Sequence, residues 1–298
     1  MSNVKSGIGL KSYEWSSLEL LKGLSIEQIK SNPSKLEERR PFFWHDMSSE
    51  FDSINFLRYL FGRRDIQFSN EFIEFVCLWH LDEQNHYRGL RKINSVLYSM
   101  PEDMIDREIR SNSPDFSHIE DFMKDEFTIL LSIAFDEVTS TRAYKQDVSF
   151  FDSFENESLS TWIRYAARDE AAHYGNAMKI LRLNHSHRFD EVEAILDKIV
   201  EFETSESFDY QRTFIFDHDT DDFSHVLLKD SRDTILEVFE ENDLVSYGTY
   251  GSTAVEPFKY PGQAGSDPSC ESLDYIYISP EHWKSSLFCA DFSSLYTI

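Results

Sequence analysis

Two stretches of the chain place a glutamate and a histidine three residues apart, directly behind an aspartate. They are Asp82-Glu83-Gln84-Asn85-His86 and Asp169-Glu170-Ala171-Ala172-His173. On a helix, residues three apart share a face, so each pair could offer a carboxylate and an imidazole to one metal ion. A single pair carries little weight. With 10 histidines in 298 residues and glutamate at roughly a tenth of the chain, about one such pair arises by chance. The weight comes from a longer period. Glu50 precedes Glu83 by 33 residues, and Glu137 precedes Glu170 by the same 33. The whole set, 50/83/86, recurs as 137/170/173, an internal duplication.

Glu50, Glu83, His86, Glu137, Glu170 and His173 together make four carboxylates and two imidazoles, a ligand set for two transition-metal ions. Two carboxylates can bridge, two can terminate, and each ion takes one histidine. Iron or manganese suits this set better than zinc, which favours tetrahedral sites with fewer carboxylates, or calcium, which rarely takes imidazole. Ligating imidazoles usually donate their other N–H to a carboxylate. The hairpin symmetry then assigns Asp169 to His86 and Asp82 to His173, unless both aspartates are surface acids. Ser140 and Thr141 lie one turn beyond Glu137. Their hydroxyls could face an oxygen pocket and relay protons, or could bond the backbone carbonyl one turn back. Tyr144 reads as core packing, with an oxidised tyrosine conceivable beside a metal. His185, His187, His218 and His225 lack a carboxylate at ligand spacing and read as surface or cap residues.

These residues need helices to position them. Residues 1 to about 40 form a helical lead-in with an apolar stripe at Leu18, Leu21, Leu24 and Ile29, which Asn32-Pro33 breaks. A helix starts after Pro41 and runs to Gly62, with Met47, Glu50, Ile54, Leu57 and Phe61 on one face. A second runs from Asn70 to Met100, with Val76, Trp79, Glu83, His86 and Leu90 inward, and Pro101 ends it. Glu102 to Asp115 is a short helix plus loop. A third helix spans Phe116 to Asp147, with Leu130, Ile133, Glu137, Thr141 and Tyr144 sharing a face. Leu159 to Leu183 is the fourth, and Val192 to Glu203 a further one. Two antiparallel helices of about 25 residues, joined by a short loop, bring positions near their midpoints level. The 33-residue spacing therefore sets Glu50 opposite Glu83 and His86, and Glu137 opposite Glu170 and His173. The 54 residues from Glu83 to Glu137 suit a crossover that packs the two hairpins as a four-helix bundle.

The chain's size permits one large buried core. A net charge of −25 argues against nucleic acid and anionic membrane as partners. No apolar run approaches a membrane span. Met1 to Gly9 lacks an apolar signal core, and Cys77, Cys270 and Cys289 form no C-x-x-C pair. Reduced thiols and a cytoplasmic setting follow as the expectation. Beyond Ser205 the pattern changes: Ser231 to Asp243 reads as one short helix and Tyr247 to Ser272 as irregular chain. The division expected is a helical bundle over 1–205 and an acidic extension over 206–298.

The motifs resemble those of the soluble acyl-[acyl-carrier-protein] desaturases. Asp46-Met47-Ser48-Ser49-Glu50 matches their D-M-x-x-E, and Trp79 four residues before Glu83 is similar to their W-x-x-E/D-E-x-x-H. Glu137 followed by Asp169-Glu170-x-x-His173 resembles their second half, and Tyr98-Ser99-Met100 with Asp103-Met104 their crossover. The likeness covers about residues 40 to 200. It implies an all-α, ferritin-like four-helix bundle with two ferrous ions per chain, an O₂-dependent reaction and a homodimer. It also implies acyl carrier protein as substrate carrier and a ferredoxin-type electron donor. Where the family has E-R-A-T this chain has Glu137-Val138-Thr139-Ser140, so the oxygen-side hydroxyl would be Ser140. Arg88, Arg91, Lys92, Arg107 and Arg110 offer a local basic patch for an acidic carrier. The substrate would be an acyl chain lying among Leu57, Phe61, Leu130 and Ile133, to be desaturated. The same ligands also serve di-iron hydroxylases and N-oxygenases acting on carrier-bound or free small molecules, and ferritin-like proteins that store metal or bind a partner.

Overall fold

A computed structural model describes residues 8–111, 113–205, 215–216, 218 and 225–240. Among these, all regular structure is helical. The elements are α1 (Ser17–Leu20), α2 (Pro33–Gly62), α3 (Asn70–Tyr98), α4 (Glu102–Arg110), α5 (Glu126–Asp152), α6 (Glu157–Asn184), α7 (Val192–Glu203) and α8 (His225–Glu240). Short 3₁₀ turns at Ile26–Gln28, Phe116–Phe122 and Ser186–Glu191 join them. Helices α2 and α3 form one antiparallel hairpin, α5 and α6 the other, and α3 packs against α6.

Local chemistry explains where the helices begin. Asn32 does not break the chain ahead of α2; its Oδ1 accepts from Ser34 N at 3.0 Å and caps the helix. Pro33 then occupies the first turn, where a missing N–H costs nothing. The helix therefore starts nine residues earlier than expected and runs through Pro41. The third predicted helix starts later than Phe116. Asp125 and Thr128 make a reciprocal capping box, which fixes Glu126 as the first helical residue. Ser69 caps α3 through Phe72 N at 3.1 Å, and Asn156 caps α6 through Leu159 N at 3.2 Å. Ser99, at φ 53°, ends α3 in the left-handed region. Among the described residues ahead of α2, the lead-in holds one short helix, α1, and the 3₁₀ turn at Ile26–Gln28, and its stripe is incomplete: Leu21, Leu24 and Ile29 are buried while Leu18 is exposed.

Helix α5 is the centre of the bundle: every residue from 126 to 139 is buried. A helix buried on all sides carries no amphipathic stripe, and for that reason its apolar period is hard to read in the sequence. Close approach elsewhere depends on Gly89 of α3. A Cβ there would lie 1.9 Å from Trp162 Nε1 of α6, and that indole donates to Ser17 Oγ at 3.0 Å. Helix α8, which follows residue 205, packs on α5 and α7. Arg232 of α8 reaches Asp197 of α7 at 2.6 Å. The stretch expected as irregular chain, 247–272, lies outside the described residues. Among the described residues no helix is long and apolar enough to cross a membrane.

Candidate metal centre

The six duplicated residues meet in the middle of the bundle, all buried. Both imidazoles face the same way chemically. His86 Nδ1 lies 3.0 Å from Glu170 Oε1 and 3.5 Å from Glu50 Oε2 and Glu83 Oε2. His173 Nδ1 lies 3.1 Å from Glu83 Oε1 and Glu137 Oε2 and 3.2 Å from Glu170 Oε2. Metal bonds of about 2.1 Å would set neighbouring donor atoms about 3.0–3.4 Å apart, so these spacings fit a ligand shell. Two four-residue groups result: Glu50, Glu83, His86, Glu170, and Glu83, Glu137, Glu170, His173. Glu83 and Glu170 belong to both. Glu50 Oε2, Glu83 Oε1 and His86 Nδ1 are buried and make no hydrogen bond. Buried polar atoms without such partners are rare in native proteins, and here they point at one another. The set is positioned to hold metal.

The metal-free centre balances its charge with protons. Burial, with Glu83 nearby, raises the Glu50 carboxyl well above the ordinary range, and burial with Glu170 does the same to Glu137. Burial opposes charge on both imidazoles, yet Glu50 and Glu170 raise His86, and Glu137 and Asp82 raise His173, well above the usual range. Burial opposes charge on Glu83 and Glu170 as well, yet both are lowered: Glu83 by its hydrogen bond with Glu50 and then by the two histidines, Glu170 by the charge of His86 and then by hydrogen bonds with both histidines. These directions favour charge on Glu83, Glu170 and the two imidazoles and a proton on Glu50 and Glu137. Two divalent cations against four carboxylates and two neutral imidazoles would balance equally well, releasing two protons for each cation bound.

The surrounding contacts cross between the hairpins. His86 Nε2 is 3.3 Å from Asp169 Oδ2, and His173 Nε2 is 3.2 Å from Asp82 Oδ2. Once the imidazoles are neutral, such contacts would keep the proton on Nε2 and leave Nδ1 for a metal. Trp79 Nε1 of α3 donates to Glu137 Oε1 at 2.5 Å, and the Tyr144 hydroxyl of α5 donates to Glu50 Oε1. Trp15, a residue the sequence did not single out, donates its Nε1 to Asp169 Oδ2 at 2.5 Å. Its ring stands 6.0 Å from that of His86. The lead-in before α1 therefore closes the His86 side.

A cavity of about 50 Å³ reaches the centre between α2 and α5. Its floor is Glu50, Glu83, Glu137, Glu170 and Tyr144. His45, Asp46, Ser49, Ser140 and Ala143 form a partly exposed rim, with buried Asp136 and His218 at the side. Ser140 is therefore at the opening. Thr141 does not line it: its Oγ1 donates to Glu137 O at 2.8 Å, the backbone alternative. Two histidines read as surface or cap residues have buried partners instead. His218 Nδ1 lies 2.7 Å from Glu203 Oε1, and His185 Nε2 lies 3.0 Å from Glu126 Oε1. Both partners are remote in sequence, so no local spacing reveals them. His187 is exposed, and the side chain of His225 lies outside the described residues. Leu57, Leu130 and Ile133 are buried in the core and Phe61 half-buried; none of them lines this cavity.

Arg91, Lys92 and Arg107 of the basic patch are paired within the chain. Arg91 grips Asp106 with two bonds of 2.9 and 2.7 Å, Lys92 is 3.4 Å from Glu102, and Arg107 is 3.6 Å from Asp103. No protein-family model matches the chain, and no curated protein matches it either.

Proposed function

We propose that the protein is an O₂-dependent oxidase working through a pair of iron ions held by Glu50, Glu83, His86, Glu137, Glu170 and His173. The observation that carries this reading is the membership of Glu83 and Glu170 in both four-residue groups, which suits two ions sharing bridging carboxylates. Iron fits the four carboxylates and two imidazoles better than zinc, calcium or magnesium. When bound, the ferrous pair supplies the electrons and electrophilic oxygen chemistry that oxidises an unactivated bond. The chain's own residues orient the ligands and govern access. Asp169 and Asp82 fix the imidazole tautomers, Trp79 and Tyr144 hold the terminal glutamates, and Trp15 excludes water from the His86 side. Ser140 sits where a proton could be passed between the rim and the floor.

The opening favours a small polar substrate, oxidised by hydroxylation or N-oxygenation. Its rim carries His45, Asp46, Ser49 and Ser140, groups suited to a hydrogen-bonding or cationic molecule and poorly suited to a hydrocarbon. A second reading, desaturation of an acyl chain on acyl carrier protein with ferredoxin as donor and a homodimeric enzyme, is supported by the D-M-x-x-E and W-x-x-x-E-x-x-H motifs. Mass spectrometry of aerobic reactions with reduced protein separates the two. A small amine or aromatic gaining one oxygen atom supports the first; an acyl thioester losing two hydrogens supports the second. Iron oxidised with no organic product in either reaction would sink both and leave metal storage.

A further inference from the structure

A second group of metal-ligating side chains lies beside the paired centre and is not used by it. Asp136 of α5, Glu203 at the end of α7 and His218 each bring one donor atom within 4.8 Å of the other two. They are 6%, 2% and 6% exposed. His218 is near both carboxylates, with Nδ1 2.7 Å from Glu203 Oε1 and Nε2 4.0 Å from Asp136 Oδ1. Phe216 anchors this stretch. It is fully buried, its ring packs on Phe122 and Phe202 at 5.0 and 5.9 Å, and its N–H donates to Asp136 Oδ1 at 3.1 Å.

A structural tie alone would account for the His218–Glu203 contact. It does not account for the location. Asp136 directly precedes Glu137, and Asp136 and His218 wall the same cavity whose floor is Glu50, Glu83, Glu137 and Glu170. A nitrogen donor and two carboxylates thus stand beside the way in to a larger nest of the same donors. The chain's net charge of −25 draws cations toward such an opening.

We propose that Asp136, Glu203 and His218 form a third metal-binding site, for a divalent transition-metal ion in transit to the paired centre. One imidazole and two carboxylates suit Fe²⁺, Mn²⁺ or Co²⁺. Three protein donors leave the remaining positions to water, so an ion there exchanges readily. The floor offers four donors to each ion and wins it by greater charge. The site stands on its own three residues; only the direction of transfer rests on the paired-metal reading.

Anaerobic titration of the metal-stripped full chain with Co²⁺ tests this, because visible absorption reports ligation as it develops in time. Wild type is expected to take three ions per chain. Glu203→Gln, which keeps the side chain's volume, and His218→Ala are expected to take two and to fill the pair about tenfold more slowly. Melting midpoints of the metal-free variants show whether the fold is intact; if His218→Ala melts early, Glu203→Gln decides. A wild type that takes only two ions, or a Glu203→Gln chain that takes three at the wild-type rate, overturns the third site while the pair stands. A wild type that takes none overturns both.

Discussion

Hairpin α2–α3 brings Glu50, Glu83 and His86 to the centre, and hairpin α5–α6 brings Glu137, Glu170 and His173, at identical spacing. Their surroundings differ. Asp169, behind His86, is fully buried and also accepts from Trp15, whereas the Asp82 side chain, behind His173, is 15% exposed. The donors to the terminal glutamates are unrelated as well: Glu50 receives a phenol from α5 and Glu137 an indole from α3. Except for the Trp15 bond, which comes from the lead-in, each of these contacts runs from one hairpin to the other. Duplication supplied two equal sets of ligands, and unequal partners then closed the His86 half and left the His173 half nearer to water. The polar groups around the candidate metal centre also clamp the bundle's halves together.

The largest test of this comparison separates shared from unshared ligands. Glu83→Ala or Glu170→Ala removes a donor from both groups and is expected to abolish stable metal binding and turnover. Glu50→Ala or Glu137→Ala removes a donor from one group and should leave one ion per chain. Elemental analysis after reconstitution with ferrous iron reads the result. Two ions retained in Glu83→Ala would end the shared-carboxylate reading.

Next in size is the contrast between the outer aspartates. Asp169→Asn should weaken metal binding by a factor of about 10 to 100, the usual cost of losing a carboxylate behind a ligating imidazole. Asp82→Asn should cost less, because water can replace a partly exposed partner. Trp15→Phe removes only the indole donor and should fall below both. Competition with a chelator ranks the three, and equal losses in the two aspartate variants would show that the halves are equivalent after all.

The pH dependence follows from the proton balance. Glu50, Glu137, His86 and His173 are all raised in the metal-free fold. Each therefore contributes stability below its unfolded pKa that is lost as pH rises toward its folded value. For the histidines this loss begins near pH ~6.5, at up to about 1.4 kcal/mol per pH unit for each group while it titrates. Glu83 and Glu170 are lowered, so their contribution disappears only in acid, below about pH 4.3. The melting midpoint of metal-free protein should fall from pH 6 to pH 9, and that of metal-loaded protein should not, since metal needs the deprotonated ligands. A metal-free midpoint that is flat or rising would contradict the balance.

How much of this is legible in the sequence depends on how far apart the partners lie. The six ligand positions and the helices carrying them follow from helical period and hairpin length, both local rules. So do Asp82 and Asp169, each adjoining a ligand, and the span of α7. Trp15 lies 154 residues from Asp169 and His218 lies 82 from Asp136, and no local rule joins such pairs. The starts of α2 and α5 were misplaced for a different reason. Proline and aspartate both end and begin helices, and only the formed cap at Asn32 or Asp125 shows which.

The smallest expected effect concerns two serines at matching positions, Ser53 of α2 and Ser140 of α5, 87 residues apart like the ligands. Ser53 is fully buried, 3.2 Å from His80 Nδ1 and accepting from Gln84 Nε2 at 3.0 Å. Burial has lowered the His80 pKa to about 4, so the imidazole is neutral and needs a neutral partner. Ser53→Ala takes the hydroxyl partner from His80, while Gln84 Nε2 keeps the carbonyls of Glu50 and Phe51, and should cost about 1–3 kcal/mol in denaturant unfolding. Ser140 faces the cavity rim, where solvent can take over its hydrogen bonds, so Ser140→Ala should move stability by no more than about 0.5 kcal/mol. Metal content should be unchanged in both. If Ser140→Ala proved as costly as Ser53→Ala, the opening between α2 and α5 would be a packed contact, and the way to the metals would have to lie on the His173 side instead.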